Sequence, residues 1–449
     1  MDSSKNDARC AGGALSRFGR TIGLLAVVGA LLAGCGSSSH SSSTPSSAAT
    51  SSGAPASTST SATTTSASGS ESVAKCGPDP GKKATGTPIK IGGQTTSSGG
   101  ANGVEGALAA KAFFMCLNAN GGISGHPIDY TYLDDGLNAT QAARNAEDLI
   151  NNDKVVGILS GSYLECPVAG PIYAKAGVFA IDGVGSSGAC FTSKNIASTA
   201  NGAPLAGSAM TQGLIGEDAK SIYLILPNIP GLGNVIEASA KATAKAMGAK
   251  IVGETSYAPG VTDASSIVLA AQASGATGIA VAGIKADLVT ILKAAETQHL
   301  SAKFGTVNQL YSPEIPKELG SYWSGGKLIV QHQYAPQDAT TPDVTLWRNV
   351  MARYAPKGTA LDELSEGEFL GALVFSHALE GIHGPVTRAS VATALQHIKD
   401  YRSDLLCRPF SWGTLPFRVS NTDTRFVTIS NGKWVDDGGC KAIDDPAAS

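Results

Sequence analysis

The feature that most narrows the fold is a regular alternation of short apolar runs with longer Ala-rich stretches between residues 88 and 298. Runs at 88–92, 128–133, 155–159 and 178–181 read as buried strands, and 103–118, 138–152 and 167–176 read as the helices between and after them. A second series repeats the pattern, with strands at 222–226, 251–255 and 278–282 and helices at 232–247, 264–274 and 287–298. The strands are continuously apolar, as a strand covered on both faces must be, and strand–helix–strand order makes neighbours parallel. The expected fold class is therefore α/β, with two doubly wound parallel-sheet lobes separated by a break near 201–216. Local signals agree. Val104, Leu108, Phe114 and Leu117 give the first helix its apolar residues and Gly121-Gly122 stops it, while Asn138 opens the next with Gln141 as its capping-box partner.

The first 75 residues are of another kind. Lys5, Arg9, Arg17 and Arg20 precede an uncharged stretch at 21–33, and small residues lead into Leu32-Ala33-Gly34-Cys35. This is the layout of a secretory signal peptide, and its ending resembles a bacterial lipobox. The apolar run of about 13 residues is too short to span a bilayer core of about 30 Å. Residues 1–35 are thus expected to be a lipoprotein signal peptide, with Cys35 lipidated (palmitate) and the mature chain anchored to the outer face of the cytoplasmic membrane. Residues 36–75 are dominated by Ser, Thr, Ala, Gly and Pro, lack aromatics, and read as a disordered tether with an r.m.s. span of roughly 30–35 Å.

Without 1–35 the chain carries 29 Lys and Arg against 34 Asp and Glu. No long basic run remains, which argues against nucleic acid as a partner. Six cysteines follow the tether: Cys76, Cys116, Cys166, Cys190, Cys407 and Cys440. An even number in an exported protein favours disulfides. Fifteen connectivities are open, of which neighbours along the chain (Cys76–Cys116, Cys166–Cys190, Cys407–Cys440) are favoured. No CxxC pair and no histidine pair at ligand spacing points to zinc, and no cofactor is expected.

Lys90-Ile91-Gly92, the helix end Leu117-Asn118-Ala119-Asn120-Gly121-Gly122-Ile123-Ser124-Gly125 and the strand end Tyr132-Leu133-Asp134-Asp135 resemble the opening of branched-chain amino-acid binding proteins. These are type I periplasmic binding proteins, the leucine/isoleucine/valine receptors of ABC importers. Asp148-Leu149-Ile150 before the strand at 155–159, and Ala280-Val281-Ala282-Gly283 leading to Asp287-Leu288, extend the resemblance to about 88–436. It implies two lobes joined by a three-strand hinge with a ligand cleft between them. The implied lobes are 76–205 with 330–400, and 206–329 with 401–449, the second finished by a β-hairpin near 417–434.

Ligands of open parallel sheets bind beyond the carboxyl ends of the strands. There, Ser97 and Ser98 can offer hydroxyls beside Gly99-Gly100. The resemblance places Ser160, Gly161, Ser162 and Tyr163 against a ligand carboxylate, Gly185, Ser186 and Ser187 against its carboxylate and amino groups, and Asp287 against its ammonium. Asp287 also reads as a plain helix N-cap. The family's aromatic wall positions are occupied here by Asn102 and Gly231, so Asn228 and Tyr311 are the alternative lining residues. Gly183-Val184-Gly185-Ser186-Ser187-Gly188 matches GxGxxG, but 189–192 carry no good helix signal and the next acid is Glu217, so a dinucleotide site is not expected. Asp134-Asp135 read as structural, since adjacent strand residues point apart.

The function these features imply is a membrane-anchored solute-binding protein of an ABC importer. It would be a monomer that captures a branched-chain amino acid or a similar small polar or amide solute by cleft closure and then engages the permease. A ligand sensor of the same fold is the alternative. An exported enzyme ranks last, for want of a GxSxG elbow, an HExxH pair or a convincing acid–base pair.

Overall fold

A computed structural model describes residues 76–99 and 103–443. The expectations for the signal peptide, Cys35, the tether and Asn102 lie outside the described residues. In the first lobe five parallel strands, β1 (Ile89–Thr95), β2 (Ile128–Asp134), β3 (Gly157–Ser160), β4 (Ala180–Asp182) and β5 (Ile196–Ser198), form a sheet in the order β2-β1-β3-β4-β5. Helices α1 (Val104–Ala119), α2 (Ala139–Asn151), α3 (Gly170–Lys175) and α4 (Gly188–Thr192) connect them. The order reverses at β1, so the loops after β1 and β3 diverge and open a crevice at the carboxyl edge.

Helix α5 (Gly202–Gly216) starts the second lobe, where the sequence shows only a break between the two series. Small residues hide its role. It is buried along most of its length, with Met210 and Leu214 in the second lobe's core. Strands β6 (Ser221–Pro227), β7 (Lys250–Tyr257), β8 (Gly278–Val281), β9 (Lys303–Thr306) and β10 (Leu328–His332) run parallel, with helices α6 (Gly233–Ala246), α7 (Ser265–Ala273), α8 (Lys285–Thr297) and α9 (Ile315–Leu319) between them. The chain returns to the first lobe for α10 (Pro342–Tyr354), α11 (Glu363–Glu380) and α12 (Arg388–Gln396). It finishes the second sheet with antiparallel β11 (Asp423–Ser430), β12 (Lys433–Asp436) and β13 (Lys441–Ala442).

The packing places the three crossings differently from expectation. Ala203 and Ala206 already belong to the second core, so the first crossing precedes 205. Val330 is still in that core while Tyr334 is in the first, which puts the second crossing near 332 rather than 330. Leu405, Phe410 and Trp412 pack into the first core, and the Arg418 amide donates to the Phe191 carbonyl at 2.8 Å, so 401–418 stay with the first lobe. The hairpin accordingly starts at Asp423 rather than near 417.

Three disulfides, Cys76–Cys116, Cys166–Cys190 and Cys407–Cys440, join the favoured pairs. The third links the returning first-lobe segment to the turn before β13.

Candidate functional site

The strand-end loops of the two lobes face one another. Tyr163, Gly185 and Ser186 share one cavity with Gly283 and Asn308, and it holds about 20 Å³. Gly283 is required at its place, because a Cβ there would lie 1.9 Å from the Tyr257 hydroxyl, which donates to the Ala282 carbonyl. Beside this cavity Tyr163, Val184 and Leu364 of the first lobe pack with Ile284 of the second, and Leu137 lies against them.

Hydroxyls at the strand ends are engaged within the protein. Ser160 donates to the Gln94 carbonyl at 3.0 Å and ties β3 to β1. Ser162 donates to Asp135, which also accepts from the Thr96 hydroxyl and the Leu137 amide. Burial raises the Asp135 carboxyl above its usual range against these bonds, so Asp135 organises the loop from inside. Ser186 donates to the Tyr163 carbonyl at 2.8 Å, and Ser187 lies 3.9 Å from Cys190. Gly161 sits tight against the Glu368 carboxyl.

The remaining expected residues spread outward. Ser97 gives its amide to Asp134 at 2.9 Å, and Ser98 borders an open groove with Asp134 and Arg144. Asn228 is exposed, its amide donating to the Tyr257 carbonyl. Tyr311 is buried near the second crossing, where its ring lies 3.9 Å from that of His332 and its hydroxyl accepts from the Gln337 amide.

Asp287 is buried, and Ile284 rather than Asp287 is the N-cap of α8. Its carboxylate accepts from the amides of Gly260 and Val261, at 3.0 Å each, and so pins the loop after β7. Burial raises its carboxyl and those two bonds oppose the rise.

Two charged residues that sequence reasoning passed over meet across the cleft. Lys285, the first residue of α8, reaches Asp362 of the first lobe at 2.9 Å. Burial works against its charge, but Asp362, with Glu314 and Glu105 further off, holds the ammonium above the usual lysine range. Asp362 caps α11 through a capping box with Ser365, a signal the sequence carries as Asp362-Glu363-Leu364-Ser365. Nothing local says that Lys285 ends up opposite it. Among the described residues, the one trio of metal-type donors is Cys166, Asp182 and Cys190, and its two cysteines are joined in a disulfide.

Residues 88–433 match the periplasmic binding protein family, and the chain belongs to it. That family is one of non-catalytic binding proteins. Solved structures share the fold at low identity. A fatty acid ABC transporter substrate-binding protein from Thermomonospora curvata superposes with a TM-score of 0.70 at 20% identity, over 82% of this chain and 96% of that one. A leucine-binding protein from Thermotoga maritima gives 0.66 at 16%, over 80% and 100%. A solute-binding protein from R. palustris in complex with 4-hydroxybenzoate gives 0.68 at 19%, over 80% and 99%. No curated protein matches the sequence significantly.

Proposed function

We propose that this protein is the extracytoplasmic solute receptor of an ABC importer. In this reading it is tethered to the membrane through Cys35 and captures a small carboxylate-bearing solute, a branched-chain amino acid among the candidates, between its lobes. The observation that carries the reading is the convergence of first-lobe Tyr163, Gly185 and Ser186 on second-lobe Gly283 and Asn308, at the carboxyl ends of two sheets joined by three crossings. Such an arrangement closes on a solute by hinge bending, and the closed face is what a permease can read. An α-amino acid would place its carboxylate at Ser162 and Ser186 and its ammonium near Asp287. Those groups are held by internal hydrogen bonds, so they would have to exchange partners on binding. The structures that share the fold bind, by their descriptions, fatty acid, leucine and 4-hydroxybenzoate, which makes plain carboxylates equal candidates.

Thermal-shift measurements on the purified chain with α-amino acids, amides and organic acids test this, because a ligand of the folded state raises the melting point by mass action. A shift confined to one α-amino acid is expected if Asp287 takes an ammonium. A shift with plain acids alone would keep the receptor and remove that role. A flat response across the whole panel would remove the proposal.

A further inference from the structure

The end of the first lobe opposite the cleft carries a second cavity. It opens at the amino edge of β2-β1-β3, between the turn before β2, the start of β1, the turn before β3 and the end of α11, and it holds about 730 Å³. Strand β1 has seven residues, so the cavity lies roughly 20 Å from the strand-end loops that line the cleft. All its walls belong to one lobe, so its shape does not depend on how the two lobes stand to each other. Its floor is the surface of the first core. Ile89, Ile123 and Leu379 are buried members of that core, and Val156, Ile382 and Val386 pack half-buried against it.

Charge around that floor is one-sided. Lys90, Lys154, His126 and His383 line the cavity and no Asp or Glu does, in a chain with 36 acidic against 33 basic residues. Neither lysine ammonium has an ion-pair or hydrogen-bond partner among the described residues, whereas Lys241, Lys293 and Lys303 are each held by a glutamate. The walls are fixed from behind. In the turn before β2, Ile123 and His126 exchange backbone bonds of 2.9 Å across Ser124 and Gly125, and His126 Nδ1 donates to the Thr87 carbonyl at 2.8 Å. Arg388 of α12 donates to the carbonyls of Ile150 and Val155 and so holds the turn that carries Lys154. A preformed cavity of about 300–1,000 Å³ with an apolar lining and a few convergent polar groups is the usual form of a small-molecule site.

We propose that this cavity is a second ligand site, separate from the cleft, for an amphipathic organic anion whose apolar tail covers Ile89, Ile123 and Leu379 and whose carboxylate meets Lys90 and Lys154. The charge of the rim selects the occupant. A neutral apolar molecule would use the floor alone, and a cation would meet two ammoniums with no countercharge. Lysine stems can lie along an apolar floor while their heads stay in water at the mouth, where a carboxylate keeps part of its hydration. The site goes beyond the receptor reading and does not rest on it, since the two cavities share no residue.

The test is a titration of the full chain, its isoleucine methyl groups carbon-13 labelled, with octanoate, followed by NMR. A plain acid in the cleft would raise the melting point just as one in this cavity would, so position is read from the methyls. Ile89, Ile123 and Ile382 report the cavity, and Ile284 reports the cleft. Octanoate is expected to move the first three, with a dissociation constant at least tenfold smaller than that of octanamide, its neutral counterpart. Lys90→Gln combined with Lys154→Asn is expected to weaken octanoate at least tenfold. Both positions are exposed, and Asn tolerates the positive φ of Lys154. Unchanged affinity in the double variant, or equal affinity for octanamide, would overturn the anion site. No response at the three cavity methyls would also overturn it, and a response at Ile284 alone would do so while supporting the receptor reading.

Discussion

Asp182 shows how far a single side chain can depart from what its position in the chain suggests. It ends β4, is fully buried, accepts from the Gly185 amide at 2.6 Å through one oxygen, and has no partner for the other. Burial pushes its carboxyl up to about 7, against the hydrogen bond from Gly185. A folded-state value above the unfolded one means that its contribution is present in full below about pH 4 and is lost as pH rises through about 7, on the order of 4 kcal/mol. Glu165 and Glu368 are buried with both carboxyl oxygens unpartnered, and burial raises both well above the usual carboxylate range. Unfolding free energy measured in urea should thus fall from pH 4 to pH 8, and Asp182→Asn should flatten part of that slope. A wild-type stability that rises over this range would contradict the assignment. None of this was legible in the sequence, because an acid at a strand end looks the same whether water reaches it or not. Asp287 teaches the same lesson. Its place near the start of α8 was visible, but the Gly260 and Val261 amides that hold it come from 27 and 26 residues away.

At the scale of elements, periodicity and punctuation carried most of the information. Strand β2 and helices α1 and α2 fall within about a residue of expectation, because continuous apolar runs, Asn138 and Gly121-Gly122 are local signals. Asn138 does accept from the Gln141 amide, although the Gln141 side chain turns to Asn145 rather than completing the box. Where local signal is thin, tertiary contacts decided. Helix α4 forms where no helix signal was evident, held by Cys190 through its bond to Cys166 and by Phe191, buried among Ile196 and Tyr173. Its five residues do not make the long helix that a dinucleotide site demands. The Cys166–Cys190 bond closes 24 residues, and losing it should cost about 3 kcal/mol by loop entropy. Replacing both cysteines with Ala is expected to lower the denaturation free energy by that order, read from urea transitions. An unchanged midpoint would mean that the loop is fully held by its packing.

The whole molecule depends on its hinge. Asn201 at the first crossing donates its amide to the Gln333 side chain at 2.6 Å, and Asn421 donates to the Gln333 carbonyl at 3.1 Å. Thr424 donates to the Gln331 side chain, so buried amides and a hydroxyl stitch all three crossings together. Cys407–Cys440 adds a covalent link beside them, between the end of the first lobe's return and the last turn of the second. It should limit how far the lobes part. Replacing both cysteines with Ser is expected to broaden the small-angle X-ray scattering distance distribution of the solute-free protein toward longer vectors, and an identical distribution would show that the polar stitching suffices. What the sequence determined by itself was the class of fold, the repeat of two strand–helix series and that the six cysteines after the tether pair, since each follows from apolar periodicity, cap residues and an even cysteine count in an oxidising compartment. What only the tertiary structure decided was where the chain changes lobe, which hydroxyls and carboxylates are already engaged, and that Lys285 meets Asp362. Those depend on burial and on partners distant along the chain, as the 77 residues between Lys285 and Asp362 illustrate.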